Sequence, residues 1–160
     1  MLEWLANTPY AIWVKQSWGW PFALTFHAFG NAIIIGFIFI IGLRLLGLFR
    51  TIPYTSLNRL FPLIWIAFVV QVLSGSSLLL TKPERYLADG MFEWKLAFVV
   101  GGAIVTLYFQ KTLKREAAAW EAAGTVSSRG MKFVAVAALL WAAVLVTGRL
   151  TAYLGQLYNV

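Results

Sequence analysis

The chain contains no cysteine and only one histidine, His27. The lack of cysteine excludes disulfides, iron–sulfur clusters and thiolate metal sites. Charged residues are also scarce, at 12% of the chain, and the apolar stretches 21–43, 60–80, 96–110 and 133–148 contain no aspartate or glutamate. A Ser/His/Asp grouping is therefore not expected, which argues against hydrolase chemistry.

Hydrophobic residues make up 61% of the 160 residues, and the mean hydropathy is +0.77. Several long apolar stretches separated by short polar loops leave no room for a soluble module, so we expect one integral membrane domain over 1–160. The net charge of +7 comes from basic residues in the loops. There, lysine and arginine set membrane orientation, and nucleic-acid binding is not expected.

The hydrophobic pattern predicts an all-α, four-helix antiparallel membrane bundle. Residues 1–19 lack a basic leader region and carry Trp4, Trp13 and Trp18, so they are predicted to be an interfacial segment and not a removable signal peptide. The four spans are predicted at about 20–48, 60–80, 92–110 and 133–153.

The loops after the first and third spans contain more lysine and arginine than the remaining segments, eight against five. The eight are Arg44, Arg50, Arg59, Lys111, Lys114, Arg115, Arg129 and Lys132. By the positive-inside rule, these two loops are cytoplasmic and both termini periplasmic in a bacterial inner membrane. Arg44 is expected to snorkel toward headgroups, and the third loop to begin as a helical extension and end in a turn.

This orientation brings polar residues from all four spans into the outer half of the membrane. His27, Lys95 and Arg149 lie there, together with Gln71 and Ser74. Gly30 and Asn31 follow His27 by three and four residues and share its helical face. An ionisable ring in a charge-free span is a functional hypothesis by default.

The residues leave two interpretations of His27 open. In one, its ring ligates the iron of haem b, Gly30 admits the flat macrocycle and Arg149 holds a propionate. In the other, the ring is hydrogen-bonded to a neighbouring helix through Gln71 or Ser74. One histidine cannot form a bis-histidine haem within one chain, so Lys95 is the internal candidate for the sixth ligand.

Lys95 and Arg149 also have structural alternatives. Each side chain can snorkel to headgroups, and Lys95 can pair with Glu93 or a propionate. Two stripes are predicted to face neighbouring helices: Lys95, Gly102 and Thr106 on the third span, and Ala135, Ala138, Ala142 and Arg149 on the fourth.

The segments HAFGNAIIIG, GLRLLG, SLNRLFPLIWIAFVVQVLSG, MFEWKLAFVV and GRLTAYLG resemble an uncharacterised family of small bacterial four-helix membrane proteins. More distantly, they resemble four-helix cytochromes b and the membrane domain of copper-resistance protein D. His27, and Lys95 in FEWKL, are also placed similarly to residues of the four-helix membrane protoporphyrinogen oxidase. These resemblances imply a haem-binding or metal-linked bundle.

The leading expectation is a haem b electron-transfer protein or membrane subunit of a redox complex, with quinone or a redox protein as partner. The second is a cofactor-free structural or accessory subunit that associates with copies of itself or with a larger membrane complex. The third is an oxidoreductase of the protoporphyrinogen oxidase type, which would require both His27 and Lys95.

Overall fold

The computed structural model describes residues 3–88 and 90–157. In this part of the chain there are seven α-helices, one 3-10 helix and no strand. The helices are α1 (Glu3–Ala6), α2 (Pro9–Gln16), α3 (Gly19–Leu45), α4 (Phe61–Thr81), α5 (Pro83–Leu87), α6 (Gly90–Ala123) and α7 (Ser128–Leu157). The 3-10 helix, Tyr54–Leu60, leads directly into α4. The predicted all-α fold is confirmed.

Four of these helices, α3, α4, α6 and α7, are long and apolar enough to cross a bilayer, as predicted. At ~1.5 Å per residue, the 21 residues of α4 extend ~32 Å, close to the ~30 Å of a hydrocarbon core. The 34 residues of α6 extend ~51 Å and project beyond such a core. This projection is the predicted helical extension of the third loop, and it ends at a turn in which Gly124 has a φ of +66°.

The bundle is built from close pairs of neighbouring helices. The closest pairs are α6 with α7 and α3 with α4, and α3 also packs on α7. The helices α4 and α6 approach each other less closely, although the Trp65 Nε1 donates a hydrogen bond to the Gln110 Oε1 at 3.0 Å. The order around the bundle is therefore α4, α3, α7, α6, with a loosely packed α4–α6 side.

The N-terminal segment forms two short helices at one end of the bundle. Thr8 caps α2 by accepting a hydrogen bond from the Ala11 N–H, and Pro9 occupies its first turn. Buried Ala11 and Val14 pack α2 against α3 and α4, while Trp4, Trp13 and Trp18 remain exposed. Residues 1 and 2 of the predicted interfacial segment lie outside the described residues.

The other end, called the basic end here, contains the loop 46–53 and the projecting part of α6. The loop covers Arg44, which is 5% exposed. The Arg44 Nε donates a hydrogen bond to the Ile52 carbonyl. The prediction that Arg44 snorkels toward headgroups is therefore wrong, because the loop and the Tyr54 ring enclose the guanidinium. The helix α3 ends at Leu45, three residues before the predicted limit, and Gly47 turns the chain with a φ of +97°.

Candidate functional site

The ring of His27 turns the edge that carries both nitrogens toward α4. Its Nδ1 lies 3.1 Å from the Ser74 Oγ, and its Nε2 lies 2.8 Å from the Gln71 Nε2. Between them, the ring Cε1 is 3.0 Å from the position that a Cβ on Gly75 would occupy. The missing side chain of Gly75 thus allows the ring to lie directly on the surface of α4.

The hydrogen bonds define which nitrogen of His27 carries the proton. With the Gln71 amide nitrogen facing the ring, the His27 Nε2 accepts, because an amide nitrogen only donates. The neutral ring then carries its hydrogen on Nδ1 and donates it to the Ser74 Oγ, which donates in turn to the Val70 carbonyl at 2.6 Å. This arrangement forms a directed chain of hydrogen bonds from Gln71 through His27 to the backbone of α4.

Gly30 marks a close approach of α3 to α4. A Cβ at this position would lie 2.8 Å from the Gln71 Oε1 and 3.1 Å from the Ala67 carbonyl oxygen. The space predicted to admit a flat cofactor is therefore filled by the Gln71 side chain. Among the described residues, the buried Oδ1 of Asn31 and Oε1 of Gln71 have no hydrogen-bond partner.

Lys95 lies half-buried on α6 and follows the surface of α7. Its Cε and Nζ are 3.4 and 3.5 Å from the position of a Cβ on Gly148. Within the described part of the chain, Lys95 has no ion pair, so the predicted pairing with Glu93 is not seen.

The predicted stripe on α6 is confirmed, whereas the predicted stripe on α7 is wrong at both of its ends. Gly102 and Thr106 are buried, and Gly102 would place a Cβ 3.2 Å from the ring of Trp141. On α7, Ala135 and Arg149 are exposed. Among the α7 side chains that the structure describes, the buried ones are Val134, Ala137, Trp141, Val144, Thr147 and Thr151.

Arg149 is exposed, so its side chain is not among those that α7 buries against the rest of the bundle. The inward face of α7 is set by the large Trp141 side chain, since this residue fills the middle of the bundle. Of the predicted stripe, Ala138 and Ala142 are partly buried and Ala138 packs against the core, whereas Ala135 and Arg149 are exposed.

Sequence reasoning did not find the contribution of the N-terminal segment to this end of the bundle. The Tyr10 hydroxyl is hydrogen-bonded to the Ser77 Oγ at 2.7 Å and ties α2 to α4. A signal for this face exists in the spacing of polar residues on α4. Three or four residues separate successive members of this buried series: Gln71, Ser74, Ser77 and Thr81.

Compared with protein-family models, with curated proteins and with solved structures, the chain matches none.

The arrangement around His27 does not fit a haem ligated by this ring. Iron coordination requires a nitrogen lone pair. The lone pair of Nε2 accepts the hydrogen bond from Gln71, and Nδ1 carries the hydrogen donated to Ser74. In addition, both nitrogens face α4, and the side chain of Gln71 fills the gap at Gly30.

Replacing Gly30 with leucine is expected to weaken the α3–α4 contact and to lower the free energy of unfolding by about 1–3 kcal/mol, the usual cost of overpacking. Gly36, on the same helix, is the matched control because no atom lies within 4 Å of the position that a Cβ there would occupy. Gly36→Leu should change stability by less than about 0.5 kcal/mol. Unfolding in mixed detergent micelles, followed by circular dichroism, measures both. Equal losses in the two variants would contradict the close approach at Gly30.

Proposed function

We propose that this chain is a cofactor-free structural or accessory subunit of a membrane complex, in which His27 fastens α3 to α4. The observation that carries the proposal is the engagement of both ring nitrogens by Gln71 and Ser74 of one neighbouring helix. Hydrogen bonds between helices contribute about 0.6 kcal/mol on average inside membranes, so the centre specifies helix register more than it adds stability.

The apolar outer surface supports an accessory role. Large side chains on α4 point away from the bundle, among them Leu63, Ile66 and Leu73. Such faces suit lipid, another copy of the chain or a larger membrane partner. In mild detergent, the native complex is expected to migrate above the size of one chain, and migration as a single copy would contradict the accessory role.

The orientation belongs to the same proposal. The basic end faces the cytoplasm of a bacterium and the α2 end faces the periplasm, because basic residues are retained on the cytoplasmic side. A reporter fused within the loop after α6, at Gly124, reads this orientation directly. If that reporter is active in the periplasm, the proposed orientation is wrong and the basic end faces outward.

An absorption spectrum tests the absence of a haem. Protein produced with excess haem and purified in mild detergent is expected to show no Soret band, either as isolated or after reduction with dithionite. The variant His27→Ala should give the same spectrum. A stoichiometric Soret band that disappears in His27→Ala would overturn the proposal and establish His27 as an iron ligand.

A second candidate, a haem b electron-transfer protein with a quinone or redox-protein partner, is favoured by one observation. Lys95 has no acidic partner in the described chain and is half-buried against Gly148 of α7, where it is available to an anionic group. This function requires His27 to leave Gln71. If the spectrum shows haem, oxidation of protoporphyrinogen that depends on both His27 and Lys95 would separate the oxidoreductase from the electron carrier.

A further inference from the structure

A cavity of about 220 Å³ opens between α6 and α7 at the basic end of the bundle. It is called the basic cavity here, and it is lined by Tyr108, Lys111, Thr112, Arg115, Glu116 and Arg129. The residues come from the end of the apolar part of α6 and from the first turn of α7. The cavity therefore lies where the helix pair leaves the hydrocarbon.

The electrostatic balance of the basic cavity is positive. Three cations, Lys111, Arg115 and Arg129, line it against one carboxylate, that of Glu116. The Glu116 Oε2 already accepts hydrogen bonds from the Trp120 Nε1 and the Ser127 Oγ. Throughout residues 3–88 and 90–157, no acidic side chain forms an ion pair with any of the three cations. The cavity thus offers uncompensated positive charge and several N–H donors.

Aromatic rings hold two of these cations at the membrane boundary. The rings of Tyr108 and Phe133 are stacked, with centroids 6.3 Å apart and planes at 12°. The Lys111 Nζ lies 5.7 Å from the Tyr108 centroid, and the Arg129 guanidinium lies 5.6 Å from that of Phe133. Aromatic rings concentrate at the level of the headgroups, and a cation near a ring face is attracted to it. The cations are therefore positioned at the depth of lipid phosphates.

We propose that the basic cavity binds the phosphate of an anionic phospholipid from the leaflet on the basic side. Arginine guanidinium groups present a planar fork that matches phosphate oxygens, and the lysine adds a point charge. The acyl chains would lie along the apolar surface below Tyr108 and Phe133. Basic pockets between membrane helices on the cytoplasmic side are suited to such headgroups. A free phosphate shares the headgroup chemistry but lacks the acyl chains, so the test separates the two.

Native mass spectrometry of the purified full chain, titrated with phosphatidylglycerol, phosphatidylcholine or inorganic phosphate, tests the proposal. Phosphatidylglycerol is expected to remain bound, phosphatidylcholine to bind more weakly and inorganic phosphate not to compete. The triple variant Lys111→Gln, Arg115→Gln, Arg129→Gln should bind phosphatidylglycerol on the order of 100-fold more weakly, since each basic residue at the surface contributes about a factor of five.

A second cavity, at the α2 end, provides a matched control. It is lined by the same number of cations, Lys15, Lys82 and Arg85, but also by two carboxylates, Glu3 and Glu84. The triple variant Lys15→Gln, Lys82→Gln, Arg85→Gln removes equal charge and should leave phosphatidylglycerol binding within about twofold of the parent, because surface attraction falls off within a Debye length.

Three results would overturn the proposal. They are equal weakening in both triple variants, unchanged binding in the basic-cavity variant, and displacement of the lipid by inorganic phosphate at similar concentration. All three substituted cations of the basic cavity are exposed, and circular dichroism confirms that the variant keeps its helices before binding is compared. The variant Arg115→Lys, Arg129→Lys keeps the charge and should retain most of the affinity, which distinguishes lost charge from lost fold.

Discussion

Replacing Trp141 with alanine is expected to lower the free energy of unfolding by about 3–5 kcal/mol, the range for large aromatic residues removed from a core. Trp141 is 1% exposed and is the largest fully buried side chain of the described residues. In lipid the loss comes mainly from packing, because a cavity deprives its lining atoms of contacts that lipid cannot replace.

Contacts with three neighbouring residues explain why truncating Trp141 should cause a large loss in the free energy of unfolding. Its Nε1 donates a hydrogen bond to the buried Thr106 Oγ1 at 3.0 Å. The ring of Phe68 meets it edge-on, with centroids 6.1 Å apart. On α6, Gly102 leaves the space that the indole fills. Truncation therefore leaves a cavity between α6 and α7, and it removes the hydrogen bond that the buried Thr106 hydroxyl accepts from the indole.

Trp94 provides the matched control, because it is on α6 and is 62% exposed. Trp94→Ala should lower the free energy of unfolding by less than about 1 kcal/mol. Denaturation of both variants with dodecyl sulfate in mixed micelles, followed by circular dichroism, measures the difference. If Trp94→Ala costs as much as Trp141→Ala, the bundle does not depend on a tryptophan at its centre.

Replacing Arg44 with methionine is expected to destabilise the basic end by about 3 kcal/mol, from a desolvated cation–π contact and a carbonyl left without its donor. The Arg44 guanidinium carbon lies 3.8 Å from the centroid of the Tyr54 ring, and its Nε donates to the Ile52 carbonyl. Methionine preserves much of the apolar stem, so the experiment isolates the guanidinium.

The effect of Arg44 extends further through Tyr54. The Tyr54 N–H donates to the Glu121 Oε2 at 2.6 Å, and its ring meets that of Trp120 edge-on at 6.1 Å. Losing the guanidinium should therefore loosen the loop 46–53 from α6. Limited proteolysis of this loop, beside the unfolding measurement, reports the change.

Arg50→Met is the control for Arg44→Met. Arg50 is exposed, and its Nε donates to the Gly47 carbonyl beside solvent. Its replacement should change stability by less than about 0.5 kcal/mol. Proteolysis that is equally rapid in both variants would show that the buried arginine does not hold the loop.

Much of the architecture was accessible from the chain itself. Charge-free runs such as 21–43 predict membrane spans because unpaired charges are costly in hydrocarbon. The contact of His27 with Gln71 or Ser74 was one of two predicted alternatives, and the structure contains both hydrogen bonds. The helical extension after Gln110 also followed from its alanine- and glutamate-rich composition.

The facing of α7 and the environment of Arg44 could not be predicted in this way. A membrane helix is apolar on its lipid side and on its packed side, so hydrophobic periodicity does not distinguish them. The exposed ends of the predicted α7 stripe, Ala135 and Arg149, were consequently assigned to the packed face. Arg44 is buried because the loop 46–53 folds over it, and no local pattern around residue 44 encodes that loop's path.

The sequence by itself determined that this is a four-span helical membrane protein without cysteine chemistry and with one histidine in a charge-free span, since these follow from composition and length. Only the tertiary structure decided which groups surround that histidine. The close approach of α3 to α4 at Gly30 and Gly75 sets both nitrogens of His27 against Gln71 and Ser74. A ring's available lone pairs depend on which groups surround it in space, and sequence spacing alone does not fix them.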